Sequence, residues 1–488
     1  MLFAAGLALL FAATPSPAGL PRQPSLASTL DLMRAASGPV WRTRLASRSA
    51  LSMEGAVENV NSTAYGLGFT SFSCDGALCT GTYFDGERLF DININGTALP
   101  RGQGPDPYLR GERTVASLAF LAPDFTTRGG RVGDAGWSSI AGARLRHLVV
   151  SDTDGTPFDV FVDPANWHVR VFRDLDGDET FEYRDYRRIG EGITLPFLVL
   201  RDGSVLERYA QRSVASGEFT PPVGLLPAPT AQPVSLATDP AFAVPVFACS
   251  LGGIDTTCLL DSGNSGLGIS PELAKRLNAP VAGSFLVRGL GDYHTDVIRT
   301  GPLRLGTLTF PEANYVELQE IHDFGYDVVL GADIFAASTI VLDGTHHRVT
   351  FGGPALDGAG TALRVSFSDF VPVVDVTLGN LPTQLAVDTG DESTINLSYD
   401  YYLAHADLFA PTGRRAVDGV GGSTIELTGT IGSVGVGDLL LHSQPIGATQ
   451  ALHGTAFGHL GAGFLGNFRV TFDYARGTIR LTPPGPAP

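Results

Sequence analysis

Two short stretches of this chain carry residues able to do chemistry. Asp261, Ser262 and Gly263 stand in CLLDSGNSG, and Asp388, Thr389 and Gly390 stand in LAVDTGDES. In each, an apolar run leads straight into a carboxylate, a small hydroxyl residue and a glycine. One such triplet is an ordinary strand-ending turn, because Asp, Ser and Gly all satisfy turns. A pair is different if both carboxyls are brought to one place. Two neighbouring carboxyls cannot both ionise cheaply, so they share one proton. The charged member then takes a proton from a water, and the protonated member donates to a carbonyl oxygen.

The surrounding chain repeats along with the triplets. Asp261 and Asp388 are 127 residues apart. Ser270-Pro271 in GISPELAKRLN reads as the N-cap and first residue of a helix, and Ser398 in NLSYDYYLAHA takes the same role 128 residues on. RGLGD is answered by DGVGG, LGA at 330–332 by LGA at 460–462, and Asp343 by Asp473, each 130 residues later. Ordered landmarks with a nearly constant offset indicate a tandem duplication of a unit of about 120 residues, the size of a small domain.

Each unit must position its aspartate with strands. VPVFACSLGGIDTTCLLD reads as two strands turning at Gly252-Gly253, and VPVVDVTLGNLPTQLAVD turns at Gly379-Asn380. Leu259-Leu260 and Ala386-Val387 make the aspartate strands apolar on both faces, hence central and buried. Each carboxylate then emerges at a strand end, where glycine allows close backbone approach.

On these triplets and the later VVLGA and GHLGA elements, each unit resembles one lobe of the pepsin–retropepsin aspartic peptidases. The resemblance covers residues 237–354 and 361–483, with lobes short enough to look like bacterial retropepsin-like ones. It implies a bilobal β domain, a single site shared between the lobes, and a catalytic pair Asp261 and Asp388. Ser262, Gly263, Thr389 and Gly390 would support the pair. The flap candidates are RGLGDYHTD and DGVGGSTIE, with Gly289, Gly291, Tyr293, Gly419 and Gly421. The chain departs from the family at Asp391 and Glu392, where small residues are usual; their expected direction is solvent. His459 takes the place of Val329 and is expected to be a partly buried histidine at a strand end.

The first half differs in character. MLFAAGLALLFAATPSPA, residues 1–18, fits a secretory signal peptide, although its start lacks Lys and Arg. Residues 24–221 read as one β-rich domain, opening with a helix at STLDLMRAAS. Its strand-rich stretches GTYFDGERLFDINING, PFDVFVDPANWHVRVFRD and TFEYRDYRRIGEGITLPFLVL resemble the LolA-like envelope fold, an antiparallel half-barrel around a hydrophobic cleft. That resemblance implies a lipid or peptide cradle; a positioning domain without a ligand is the alternative. DLDGDETFE (Asp174, Asp176, Asp178) places its glycine one residue early for a calcium loop and reads as a hairpin turn. Residues 222–236 are a proline-rich linker.

Composition bounds the rest. The formal net charge of −17, from 33 basic and 50 acidic residues, argues against nucleic-acid binding. Lys275 is the one lysine, a usage typical of GC-rich bacterial genomes. The four cysteines form two local pairs, Cys74 with Cys79 and Cys249 with Cys258. In an oxidising compartment both would be disulfides, with buried thiol pairs as the alternative. No histidines or further cysteines stand at zinc-ligand spacing, so no metal and no cofactor is expected. The expectation is a mainly β, monomeric, exported aspartic endopeptidase, periplasmic or secreted, acting on a peptide or protein substrate. The alternative is a non-catalytic envelope protein that binds peptides between its lobes or an apolar ligand in its first domain.

Overall fold

The computed structural model describes residues 23–39, 46–51, 58–64, 68–75, 78–84, 88–102, 111, 114–116, 118–153, 155–174, 180–189, 192–212, 224–226, 232–352, 360–450 and 457–484. The stretch 1–18 that reads as a signal peptide, residues 175–179 and residues 222–223 and 227–231 of the proline-rich linker lie outside the described residues. The expected linker ends early, because Val234–Ala237 pairs as a strand with Arg348–Phe351.

The chain is mainly β. The first half forms a 13-stranded antiparallel sheet in which strands fold onto their sequence neighbours outward from one long-range pairing. That pairing sets Ala46–Leu51 against Ser204–Arg212, with Ser47 opposite Arg212. The helix Leu26–Ser37 is capped by the Ser25 hydroxyl, which accepts from the Ser28 N–H. It buries Met33 against Phe120, Phe158, Phe172 and Leu195, so one side of the sheet is covered by apolar packing. The strands Val169–Asp174 and Thr180–Ile189 pair antiparallel, with Arg173 opposite Thr180. A shallow pocket on this sheet is lined by charged and apolar groups together, among them Asp163, His168, Val169, Arg170, Tyr183 and Tyr186.

The second half contains the two repeats, and the expected hairpins form at the expected glycines. Val246–Leu251 pairs with Ile254–Leu260, closing at Leu251 opposite Ile254. Val371–Leu378 pairs with Leu381–Val387, closing at Leu378 opposite Leu381. Each aspartate strand is internal to its sheet. Each also runs parallel to the short strand carrying the later Leu-Gly element: Leu260 pairs with Leu330, and Val387 with Leu460. The caps also form, with Ser270 accepting from Leu273 N–H and Ser398 from Tyr401 N–H. Both cysteine pairs are disulfides, Cys74–Cys79 and Cys249–Cys258; the second ties the two strands leading into Asp261.

A six-stranded sheet joins the repeats. Ile340–Asp343 of the first lies against Arg469–Asp473 of the second, with Val341 opposite Thr471. One apolar core runs through both repeats and includes Leu99 and Leu226 from outside them.

The first domain is built into this assembly rather than tethered to it. Its turn Asn93–Thr97 is braced internally, because Asn93 Oδ1 accepts from the Asn95 and Thr97 N–H groups. The turn then presents its side chains to Asp333, a buried carboxylate in the helix Ala332–Ala337 of the first repeat. Asn93 donates to Asp333 Oδ1 at 2.9 Å, Asn95 donates to Oδ2 at 2.8 Å, and Thr97 donates to Oδ1. Asn95 also donates to the Asn314 carbonyl and accepts from the Asn314 N–H. Burial raises the Asp333 pKa, and the three donors offset this only in part. A raised folded-state value means that the junction is tightest in acid and loosens as pH rises through that value. Asn95→Ala removes the donor to Oδ2 and orphans two Asn314 backbone groups. The expected loss is about 1–3 kcal/mol for each buried group left unpaired, read by urea unfolding. Unchanged stability would show that the junction is not held here.

Candidate active site

The two triplets meet. Ser262 and Thr389 are both fully buried, at 0% exposure, and bond reciprocally across the repeats. Ser262 Oγ donates to the Val387 carbonyl at 2.7 Å and accepts from the Thr389 N–H at 3.0 Å. Thr389 Oγ1 donates to the Leu260 carbonyl at 2.7 Å and accepts from the Ser262 N–H at 3.0 Å. Four groups that would be unpaired at two strand ends thus satisfy one another, and the strand ends are locked side by side.

That lock places the carboxyls face to face. A Cβ on Gly263 would lie 2.5 Å from the Asp388 carboxyl carbon, and a Cβ on Gly390 would lie 2.5 Å from that of Asp261. Only glycine leaves room at either position. Each aspartate is aimed by its own turn: Gly263 N–H donates to Asp261 Oδ1 at 2.8 Å, and Gly390 N–H donates to Asp388 Oδ1 at 2.9 Å. Desolvation and then the neighbouring Asp388 carboxylate push the Asp261 pKa well above the usual carboxylate range. The two carboxyls form a close, partly exposed pair.

One expectation about the neighbouring residues is corrected. Asp391 does not point to solvent. Its Oδ1 accepts from the Ser393 N–H at 2.8 Å, which turns Oδ2 inward to 3.3 Å from His459 Nδ1. Glu392, the next residue, is exposed as expected. His459 is the expected partly buried strand histidine, and the same Nδ1 lies 3.2 Å from Asp388 Oδ2. Burial acts to lower the His459 pKa, but the Asp391 hydrogen bond and the Asp388 and Asp391 charges outweigh it and raise the value. Burial acts to raise that of Asp391, and His459 lowers it overall. Among the described residues, these three form the one set of carboxylates and imidazole whose ligand atoms lie within 4.8 Å of one another. Their arrangement is that of an ion-paired triad, and a cation entering it would have to displace the proton on Nδ1.

The glycine-rich hairpins also meet. The first lies between Val281–Val287 and Tyr293–Thr300, and the second between Phe409–Gly419 and Gly422–Val436. Leu290 N–H donates to the Val420 carbonyl at 2.7 Å. The tips are glycine because backbone meets backbone: a Cβ on Gly289 would lie 2.2 Å from Val420 O, and one on Gly421 2.2 Å from Gly291 O. Gly419 packs beneath Leu290. The Tyr293 hydroxyl accepts from the Gln319 N–H. The tyrosine that feels the pair is Tyr326, whose pKa is raised by burial and then by Asp261, Glu392 and Asp388. Tyr474, buried in the core, is raised by burial and the same two aspartates. No sequence signal marked either tyrosine, since neither stands near a triplet.

No protein-family model and no curated protein matches this chain. Ser262→Ala would orphan the Val387 carbonyl and the Thr389 N–H, and is expected to cost about 1–3 kcal/mol per orphaned group. Calorimetric unfolding measures this. An unshifted melting temperature would show that the reciprocal bonds do not hold the repeats together.

Proposed function

We propose that this chain is an exported aspartic endopeptidase with a pepsin-like, duplicated retropepsin-like half and a LolA-like first domain. The observation that carries the reading is the glycine-flanked, closely facing pair Asp261–Asp388 held by the reciprocal Ser262–Thr389 bonds. The two disulfides support an oxidising location, periplasmic or secreted. One chain supplies both carboxyls, so a monomer holds a whole site.

The chemistry follows from the single shared proton. Water held by the pair loses a proton to the carboxylate as its oxygen bonds to the peptide carbonyl carbon. The carboxylic acid protonates the carbonyl oxygen, giving a neutral tetrahedral diol. The acid and base roles are now exchanged. The new acid protonates the amide nitrogen, the C–N bond breaks, and the other carboxylate takes a diol proton. Amine and carboxylic acid leave, and the pair is restored. A polypeptide lying between the repeats must pass the joined hairpin tips, which therefore part for substrate to enter.

Incubation with a mixed peptide library across pH 3–9 tests this. The rate is expected to fall as the second proton-loss step removes the shared proton, so the profile peaks on the acid side. Asp261→Asn and Asp388→Asn should each lose at least about a hundredfold in kcat/KM. The double variant should be no worse than the singles, because the pair acts as one unit. A rate climbing steadily to pH 9, or substantial activity in either variant, would defeat the proposal.

A further inference from the structure

Two of the differences between the repeats put charged side chains beside the carboxyls of the second. Asn264 and Asp391 each follow their aspartate by three residues and make the same local turn: Asn264 Oδ1 accepts from the Gly266 N–H, and Asp391 Oδ1 from the Ser393 N–H. Val329 and His459 each precede Leu-Gly-Ala and occupy the same register. Leu259 pairs with Val329 in the first repeat, and Ala386 with His459 in the second. The smaller Ala386 stands beside the larger histidine, and the larger Leu259 beside valine. The second repeat therefore has room and a counter-charge for an imidazole where the first has neither.

We infer that Asp391 and His459 break the symmetry of the aspartate pair: His459, as an imidazolium, fixes the negative charge on Asp388, and Asp391 positions that imidazolium. This rests on the peptidase reading and assigns its roles. Asp388 is the base that takes the proton from water, and Asp261 is the acid that protonates the carbonyl oxygen; each proton returns in the second half of the cycle.

The contacts are one-sided. His459 Nδ1 is 3.2 Å from Asp388 Oδ2 and 3.3 Å from Asp391 Oδ2, whereas Asp261 meets it only through longer-range charge. The Oδ1 atoms of Asp388 and Asp391 are occupied by turn N–H groups, so both Oδ2 atoms are left to converge on the ring nitrogen. The other charged groups near the cluster do not duplicate this cation. Arg415 feels Asp391 and Glu392, but its guanidinium is committed to Glu426. Glu392 is exposed, and Tyr326 and Tyr474 are kept neutral by burial and the carboxylates. An opposite charge within about 4–6 Å favours a carboxyl's ionised form by about 1–3 pH units. The imidazolium therefore lowers the first proton loss of the pair and extends activity further into acid.

Two measurements test this. The first compares pH profiles of kcat/KM for wild type, His459→Gln and the Asp391→Asn/His459→Val double variant, which installs the residues of the first repeat. The acidic limb is expected to move up by about 1–3 pH units in His459→Gln. In the double variant it should move up by less, because no unpaired Asp391 charge remains. Superimposable profiles, with only a loss of stability, would make His459 a packing residue and overturn the inference. The second follows the His459 ring by ¹⁵N NMR titration and needs no activity. Asp388→Asn should lower the His459 pKa, whereas Asp261→Asn should leave it unchanged or raise it, since Asp388 is then charged without a shared proton. Equal shifts in the two variants overturn the asymmetry, as does a ring signal that titrates only after EDTA treatment, which would reveal a bound metal. A chain with no peptidase activity but the expected NMR shifts would refute the proposed function and leave the charge assignment standing.

Discussion

Forcing two carboxyls against each other in a buried place is the constraint around which the second half of this chain is organised. Desolvation and like charge both oppose the arrangement, so it exists only because the strand ends beneath it are fixed. The Ser262–Thr389 exchange does the fixing, using hydroxyls short enough to reach the opposite backbone. The glycines at 263 and 390 are the steric counterpart: the same closeness that makes the proton shared leaves no space for a side chain. The parallel strands behind, with Asp261 N–H bonded to Leu330 O and Asp388 N–H to Leu460 O, pass this order to the core.

Carboxylates in confined places recur in this molecule, and each is accommodated differently. Asp261 and Asp388 are set against each other. Asp391 is paired with an imidazole. Asp333 is surrounded by the neutral donors Asn93, Asn95 and Thr97. The last solution has a structural consequence. Those donors belong to the first domain, so the helix next to the active-site loop is complete only when that domain is docked. Asn93 reaches the loop itself, donating to the Ser265 carbonyl at 2.9 Å. The first domain therefore buttresses the Asp261 turn from behind, whatever else it does.

The repeats touch at three levels: the shared six-stranded sheet, the Ser262–Thr389 bonds, and the hairpin tips. The sheet and the central bonds are buried, while the tips meet at the glycine backbone of two hairpins.

Much of this was legible in the sequence. Apolar runs ending in Asp-Ser-Gly and Asp-Thr-Gly, two-residue glycine turns, Ser-Pro helix starts and close cysteine pairs are local signals, and the structure realises each of them in place. Duplication was legible too, since it leaves a constant offset whatever the fold. What the sequence could not supply was the direction of side chains whose partners are distant. Asp391 and His459 are 68 residues apart, and whether they face solvent or the carboxyl pair depends on which strand lies beside which. The Asn93–Thr97 turn carried no signal of its own, because its partner Asp333 is 236 to 240 residues away. Tyr293 had the better position along the chain, yet Tyr326 lies within electrostatic reach of the pair. The sequence by itself determined the chemical groups, the strands that end in them and their twofold repetition, because those follow from short-range periodicity and turn preference. The tertiary structure alone decided which charges face one another, because burial and Coulomb energy depend on distance in space.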